Sequence, residues 1–150
     1  MSEALRLSFA VACSSEHAFT TWTTRIGSWW PADHTVSRSE DAAVVLQPGV
    51  GGRIYERTVD GQEHDWGEIT AWEPPSRLAY RWHLGRDATD ATEVEIRFCP
   101  EGERATRIEI EHRGWERLGD EADAWRDRNR IGWTTLMPHY LSAAQPGERP

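Results

Sequence analysis

The sequence predicts an α+β domain in which a strongly curved antiparallel sheet of seven strands closes over one long C-terminal helix. Three observations carry this. Residues 42–112 hold six strand-like segments in succession, the last three alternating apolar with charged residues. A seventh such segment, Leu5, Leu7, Phe9 and Val11, precedes them. The long helical pattern at 121–144 has a single apolar stripe, which must be buried against the apolar face of the sheet.

Taken in order, residues 5–11 have a period of two and read as a half-buried strand. Ser14 or Ser15 caps a helix over 15–25, with Glu16 well placed in its first turn. Ala18, Phe19, Trp22 and Ile26 recur at three and four and mark its buried face. Gly27 breaks that pattern, and Ser28–Pro31 reads as a short helical turn stopped by proline. Val44–Leu46 is a short strand. Segments 52–59 and 64–73 flank Asp60-Gly61, a hairpin turn because both positions tolerate positive φ. Glu73-Pro74-Pro75 ends the pairing. Strands at 78–84, 93–98 and 106–112 follow, each with one apolar and one charged face. In the final helix Trp125, Asn129, Trp133, Met137 and Leu141 fall on one line, flanked by Leu136, Tyr140 and Ala144, and Pro138 predicts a kink. One domain spans 1–145, with 146–150 as a flexible tail. A sheet that curls around a single helix closes poorly at its far end, so the architecture itself suggests a pocket.

Composition narrows the functions. The chain has 150 residues, the size of one domain, and only 38% are apolar, yet nine are Trp. Net charge is −8 and every one of the 17 cations is Arg, so no phosphate-tracking face and no nucleic-acid partner are expected. The N-terminus lacks a signal-peptide layout and no apolar run approaches the ~20 residues that span a bilayer, which reads as a soluble cytoplasmic protein with no membrane partner. Cys13 and Cys99 stand alone and read as buried free thiols. His64, His83 and His112 with Asp65 and Glu68 lack any fixed metal spacing, and no GxSxG is present. Neither a metal nor a cofactor is expected. Gly51-Gly52 is no phosphate loop; it lets the strand bend, or its backbone approach the helix.

Five stretches then stand out: AFTTWTTRIGSWWP (18–31), PGVGGRIYERTVDG (48–61), WGEITAWEPPSRLAYRW (66–82), TRIEIEHRGW (106–115) and IGWTTLMPHYL (131–141). Together, in this order and over nearly the whole chain, they resemble the stand-alone bacterial homologues of the C-terminal domain of the activator of the heat-shock-protein-90 ATPase. That group lies in the START-like helix-grip (SRPBCC) superfamily, which also holds pollen-allergen-like proteins and polyketide cyclases. The resemblance implies seven strands wrapped around the C-terminal helix, two short helices between strands 1 and 2, and a hydrophobic cavity between sheet and helix. It brings no particular reaction.

Strand parity puts Tyr80, Trp82, Ile108 and His112 on the face toward the helix, opposite Trp133, Met137 and Tyr140, with Trp30 at the mouth. These eight are the candidate ligand-binding residues. The rings read either as pocket walls or as plain core, and Trp29-Trp30-Pro31 either as rim or as plug. His112, the single catalytic candidate, reads either as a satisfied core residue or as an anchor or general base. The first function is therefore binding of a small hydrophobic or aromatic molecule. The second is a cyclase- or hydrolase-type enzyme using His112. A third, a chaperone-associated binding domain working through the outer sheet face, is argued against by the alternating signs of Arg81, Glu93, Glu95, Arg97, Arg107, Glu109 and Glu111, the mark of a solvated surface. A homodimer through an edge strand or the Trp-rich end stays open. The strand at 52–59 resists assignment of Arg53, Tyr55, Glu56 and Arg57 to a face; a wet position for its charges is preferred, because unpaired burial is costly.

Overall fold

Seven strands form one antiparallel sheet in the order β1-β7-β6-β5-β4-β3-β2. The structure, a computed structural model, describes residues 4–84 and 88–144, so the tail at 146–150 lies outside the described residues. The strands are β1 (Leu5–Val11), β2 (Ala43–Leu46), β3 (Arg53–Arg57), β4 (Glu63–Glu73), β5 (Arg77–Trp82), β6 (Thr92–Gly102) and β7 (Ala105–Arg113). Helix α1 (Ser15–Trp22) and two 3₁₀ turns, Ile26–Ser28 and Ala32–His34, connect β1 to β2. A 3₁₀ segment, Trp115–Glu121, leads into the long helix α2 (Ala122–Ala144). This is the α+β helix-grip arrangement: a curled half-barrel with a long C-terminal helix across its concave side.

The predicted elements are present, with shifted ends. Ser14 accepts from the His17 amide at 3.1 Å and caps α1, which stops at Trp22 rather than 25 because Thr23 leaves helical geometry. Asp60-Gly61 turns the β3–β4 hairpin, with Gly61 at φ 91°. Helix α2 continues through Pro138, and Gly119, with φ of 60° and ψ of −127°, separates the 3₁₀ segment from the helix. Gly52 approaches a neighbouring backbone rather than the helix: a Cβ there would stand 1.9 Å from the Gln47 carbonyl oxygen. Register shifts at Ile54/Tyr55 and Ile69/Ala71 bend the sheet around α2.

The core lies between the concave face and the two helices. Ile54, Ile69, Leu78, Ile96, Phe98, Ile108 and Ile110 meet Phe19 and Trp22 of α1 and Trp133, Leu136, Met137 and Tyr140 of α2. On the convex face Glu95 lies beneath Arg77, Arg97 and Arg113, at 2.7, 2.9 and 3.2 Å. These neighbours hold its carboxyl below the usual range, the Arg77 hydrogen bond foremost.

Two expectations need correction. Glu56 is fully buried rather than wet, and it faces inward with Ile54. Tyr55 alternates to the opposite face, where Arg53 covers its ring at 4.1 Å. Burial of the Glu56 charge is tolerated because it is not unpaired, as described below. Cys99 is only half-buried, whereas Cys13 is buried; both are free thiols. Among the described residues no helix is long and apolar enough to cross a membrane, and no group of three or more His, Cys, Asp or Glu is arranged to hold a metal.

Candidate functional site

Helix periodicity on α1 and strand parity on β4, β5 and β7 send their large rings into the same space. Trp22, at the C-terminal end of α1, is the hub, with Tyr140 at 4.7 Å, Trp29 at 5.6 Å, Trp133 at 6.0 Å and Phe98 at 6.4 Å between ring centroids. Trp29 leads to Trp30 at 5.5 Å, and Trp30 to Trp66 at 5.1 Å and Trp82 at 5.8 Å. Trp66 and Trp82 are 5.9 Å apart, so these three rings form a closed triangle, and Tyr80 stands 5.5 Å from Trp82. Such spacings and their tilted or edge-on angles are those of favourable aromatic pairs.

His112 occupies the far side of this network and is completely buried. The Trp133 indole N–H donates to Nδ1 at 3.1 Å, which leaves the proton on Nε2. From there the ring donates to Thr92 Oγ1 at 2.7 Å, and the Thr92 hydroxyl donates to the Trp82 carbonyl at 3.2 Å. The Trp115 ring lies 4.2 Å from the imidazole and donates its N–H to the His112 carbonyl at 2.9 Å. Both ring nitrogens are thus engaged, and burial pulls the pKa down to about 3.

That depressed pKa has a measurable consequence. The unfolded imidazole takes a proton near 6.5 and the folded one only near 3, so between these values the unfolded state holds more protons and stability falls as pH falls. The slope from this group is up to about 1.4 kcal/mol per pH unit. Urea midpoints measured from pH 6.5 down to 5, above the carboxylate range, are expected to decline, and His112→Asn to flatten that decline. An equal slope in the variant would locate the acid sensitivity elsewhere.

Glu56 orders the opposite end of the ring triangle. Its carboxylate accepts from the backbone N–H groups of Val36 at 2.6 Å and Ser37 at 3.0 Å, and from the Trp66 indole at 2.8 Å. Burial alone would raise its pKa, but these donors outweigh it and hold the group below the ordinary carboxylate value. One buried charge therefore ties the segment after the second 3₁₀ turn to the ring that stacks on Trp30.

Two openings reach this network. At the N-terminal end of α2, Trp82, Thr92, Trp115, Leu118, Trp125 and Asn129 line a cavity of about 20 Å³, room for one water. On the other side, Trp29 and Trp30 with Pro138, His139, Ser142 and Ala143 form an open cleft of about 440 Å³. A concavity on the convex face, of about 370 Å³, is lined largely by Arg6, Glu95, Arg97, Glu109 and Glu111 and is charged in character.

Of the eight residues singled out from the sequence, Tyr80, Ile108, His112, Trp133, Met137 and Tyr140 are each no more than 4% exposed. Trp30 and Trp82 are half-buried and stand at the two openings. The Tyr140 hydroxyl donates to the Ala18 carbonyl at 2.8 Å, tying α2 to α1. Sequence reasoning missed Trp22 as the hub, and also Trp66 and Thr92, whereas Glu56 is the functional candidate that an inward reading of its strand offers. Trp22 carried a signal in its helical spacing with Phe19 and Ile26, but spacing cannot tell a hub from ordinary core.

Residues 12–144 match the profile of the family described as Activator of Hsp90 ATPase homolog 1-like protein. Among solved structures, an anthrahydroquino-γ-pyrone synthase, Txn09, determined as a complex, is 40% identical over 81% of this chain and 82% of its own, with a TM-score of 0.60. CalC, a self-sacrificing resistance protein from Micromonospora echinospora, is 29% identical, covering 95% of this chain and 91% of its own, with a TM-score of 0.65. Protein MLL2253 from Mesorhizobium loti shares the fold at a TM-score of 0.68 and 16% identity, over 94% of this chain and 96% of its own. No curated protein matches the chain in sequence.

Proposed function

Because the chain belongs to the Activator of Hsp90 ATPase homolog 1-like family, we propose that it binds a flat, fused-ring aromatic molecule between the sheet and α2. The observation that carries this is the Trp30–Trp66–Trp82 triangle, an aromatic surface whose outer members stand only half-buried at two openings. A plain core has no need to leave two indoles at its rim. The 40% identity to a synthase whose name describes a fused hydroquinone–pyrone supports the same ligand class. Pockets for such molecules run to roughly 300–1,000 Å³; the cleft of about 440 Å³ beside Trp30 is of that size, whereas the space at the α2 end is only about 20 Å³. A molecule seated at the cleft therefore reaches the space between sheet and α2 by displacement of Trp30 and Trp82, the rings already partly outside, while the buried Trp22, Trp66 and Trp133 form the fixed floor.

The test is titration with 1,8-dihydroxyanthraquinone, followed by quenching of tryptophan fluorescence and by native mass spectrometry. Saturable one-to-one binding is expected. Trp82→Ala and Trp30→Ala are each expected to weaken it about tenfold or more, by loss of stacking and buried area. Absence of quenching up to the solubility of the probe would rule out this ligand class.

A second reading, catalysis of ring formation on such a molecule, is favoured by the likeness to the synthase. General-base work at His112 requires a free Nδ1 lone pair, which the Trp133 N–H occupies here. In the binding reading His112 is a positioning residue: it holds Thr92, and so the wall of the cavity beside Trp82.

A further inference from the structure

Five tryptophans are buried, and four of them place their indole N–H on an acceptor. Trp29 donates to the Thr21 carbonyl at 2.8 Å, Trp66 to Glu56 at 2.8 Å, Trp115 to the His112 carbonyl at 2.9 Å and Trp133 to His112 Nδ1 at 3.1 Å. Trp22 is the exception: it is 0% exposed, it sits at the centre of the ring network, and its Nε1 has no hydrogen-bond partner. A buried donor without an acceptor typically costs 1–3 kcal/mol, and this fold satisfies the same group at four other places. Burial pushes the Tyr80 hydroxyl's pKa up and the nearby Trp22 N–H opposes that rise, while Trp22 Nε1 forms no hydrogen bond. The Trp22 N–H, inside an otherwise apolar ring network, thus remains available to an acceptor.

We propose that the Trp22 N–H, with the Tyr80 hydroxyl beside it, is the recognition point for an acceptor oxygen of the bound molecule, a ring carbonyl of the quinone or pyrone type. The inference rests on the ligand-binding reading above and adds to it the selection of oxygenated over plain aromatic rings. Trp22 then determines specificity rather than supplying area. A carbonyl held by an indole N–H in a dry site is favoured over a bare ring, because only the oxygenated ligand satisfies the donor.

The experiment compares anthraquinone with anthracene, tricycles of the same outline that differ in the two carbonyls. Three proteins are used: the wild type, Tyr80→Phe, and a protein with Trp22 replaced by β-(3-benzothienyl)alanine, which keeps the ring and exchanges N–H for sulfur. The wild type is expected to bind anthraquinone at least tenfold more tightly than anthracene. The benzothienyl protein is expected to lose about that preference, with its affinity for anthracene and its urea midpoint unchanged or raised; Tyr80→Phe is expected to lose part of it. Equal binding of both tricycles by the wild type, or a preference that survives in the benzothienyl protein, overturns this inference and leaves the ligand-binding reading standing. A lowered urea midpoint for the benzothienyl protein overturns it too, because the N–H would then have a structural partner. Binding of neither tricycle overturns both.

Discussion

Glu56→Ala is expected to lower the unfolding free energy by about 3–5 kcal/mol, read from urea unfolding followed by far-UV circular dichroism. The side chain is fully buried and accepts three N–H bonds, so its removal orphans three donors at once. Val36 and Ser37 can regain water if their segment lifts, which keeps the loss below the sum of three separate penalties. Trp66 cannot, being 0% exposed. Glu56→Gln keeps the shape but turns one acceptor into a donor facing a donor, and is expected to lose roughly half as much. Because the folded pKa lies below the ordinary value, the carboxylate contributes its stability above about pH 4.5 and loses it as pH falls through the folded value. A loss below about 1 kcal/mol in the Ala variant would show that water replaces the three bonds.

His112→Ala is the second large effect, an expected loss of about 3 kcal/mol or more. The imidazole fills space between the Trp115 and Trp133 rings, and its removal leaves both a void and an unpaired Trp133 N–H, while the Thr92 hydroxyl keeps its bond to the Trp82 carbonyl. The alternative outcome is informative. Stability within 1 kcal/mol of wild type, with affinity for the anthraquinone probe reduced tenfold or more, would make the ring a ligand anchor instead of a strut between helix and sheet.

The sequence makes the scaffold plain where periodicity is strict. Val94, Ile96 and Phe98 on β6 and Ile108, Ile110 and His112 on β7 alternate without interruption, and the register pairs Ile96 with Ile110 and Phe98 with Ile108 on one face. Along β3 the alternation is regular, with Ile54 and Glu56 inward and Tyr55 outward. Polarity is what misleads there, because the aromatic ring takes the outer face and the carboxylate the inner one, while the extra residue of the bulge is Trp66 on β4. The acceptance of the Glu56 charge depends on amides at Val36 and Ser37, some twenty positions away, which no local pattern announces. The inward direction of Tyr80, Trp82 and Trp133 was legible. The partners of the indole nitrogens were not, because a hydrogen bond is set by the distance between elements, not by the spacing of residues along one of them.

The strand order has a kinetic side. From β2 to β7 each strand pairs with the next in sequence, so each of those five pairings closes a short loop. The remaining pairing does not: β1 joins β7, matching Leu5 to His112 and Val11 to Thr106, and Thr106 fastens the joint by donating to the Cys13 carbonyl at 2.8 Å. Closing a loop of roughly 100 residues costs about 4 kcal/mol of chain entropy, against far less for a hairpin. Among the strand pairings, the entropic cost of assembly is thus concentrated at a single seam, where the first segment of the chain meets the last strand.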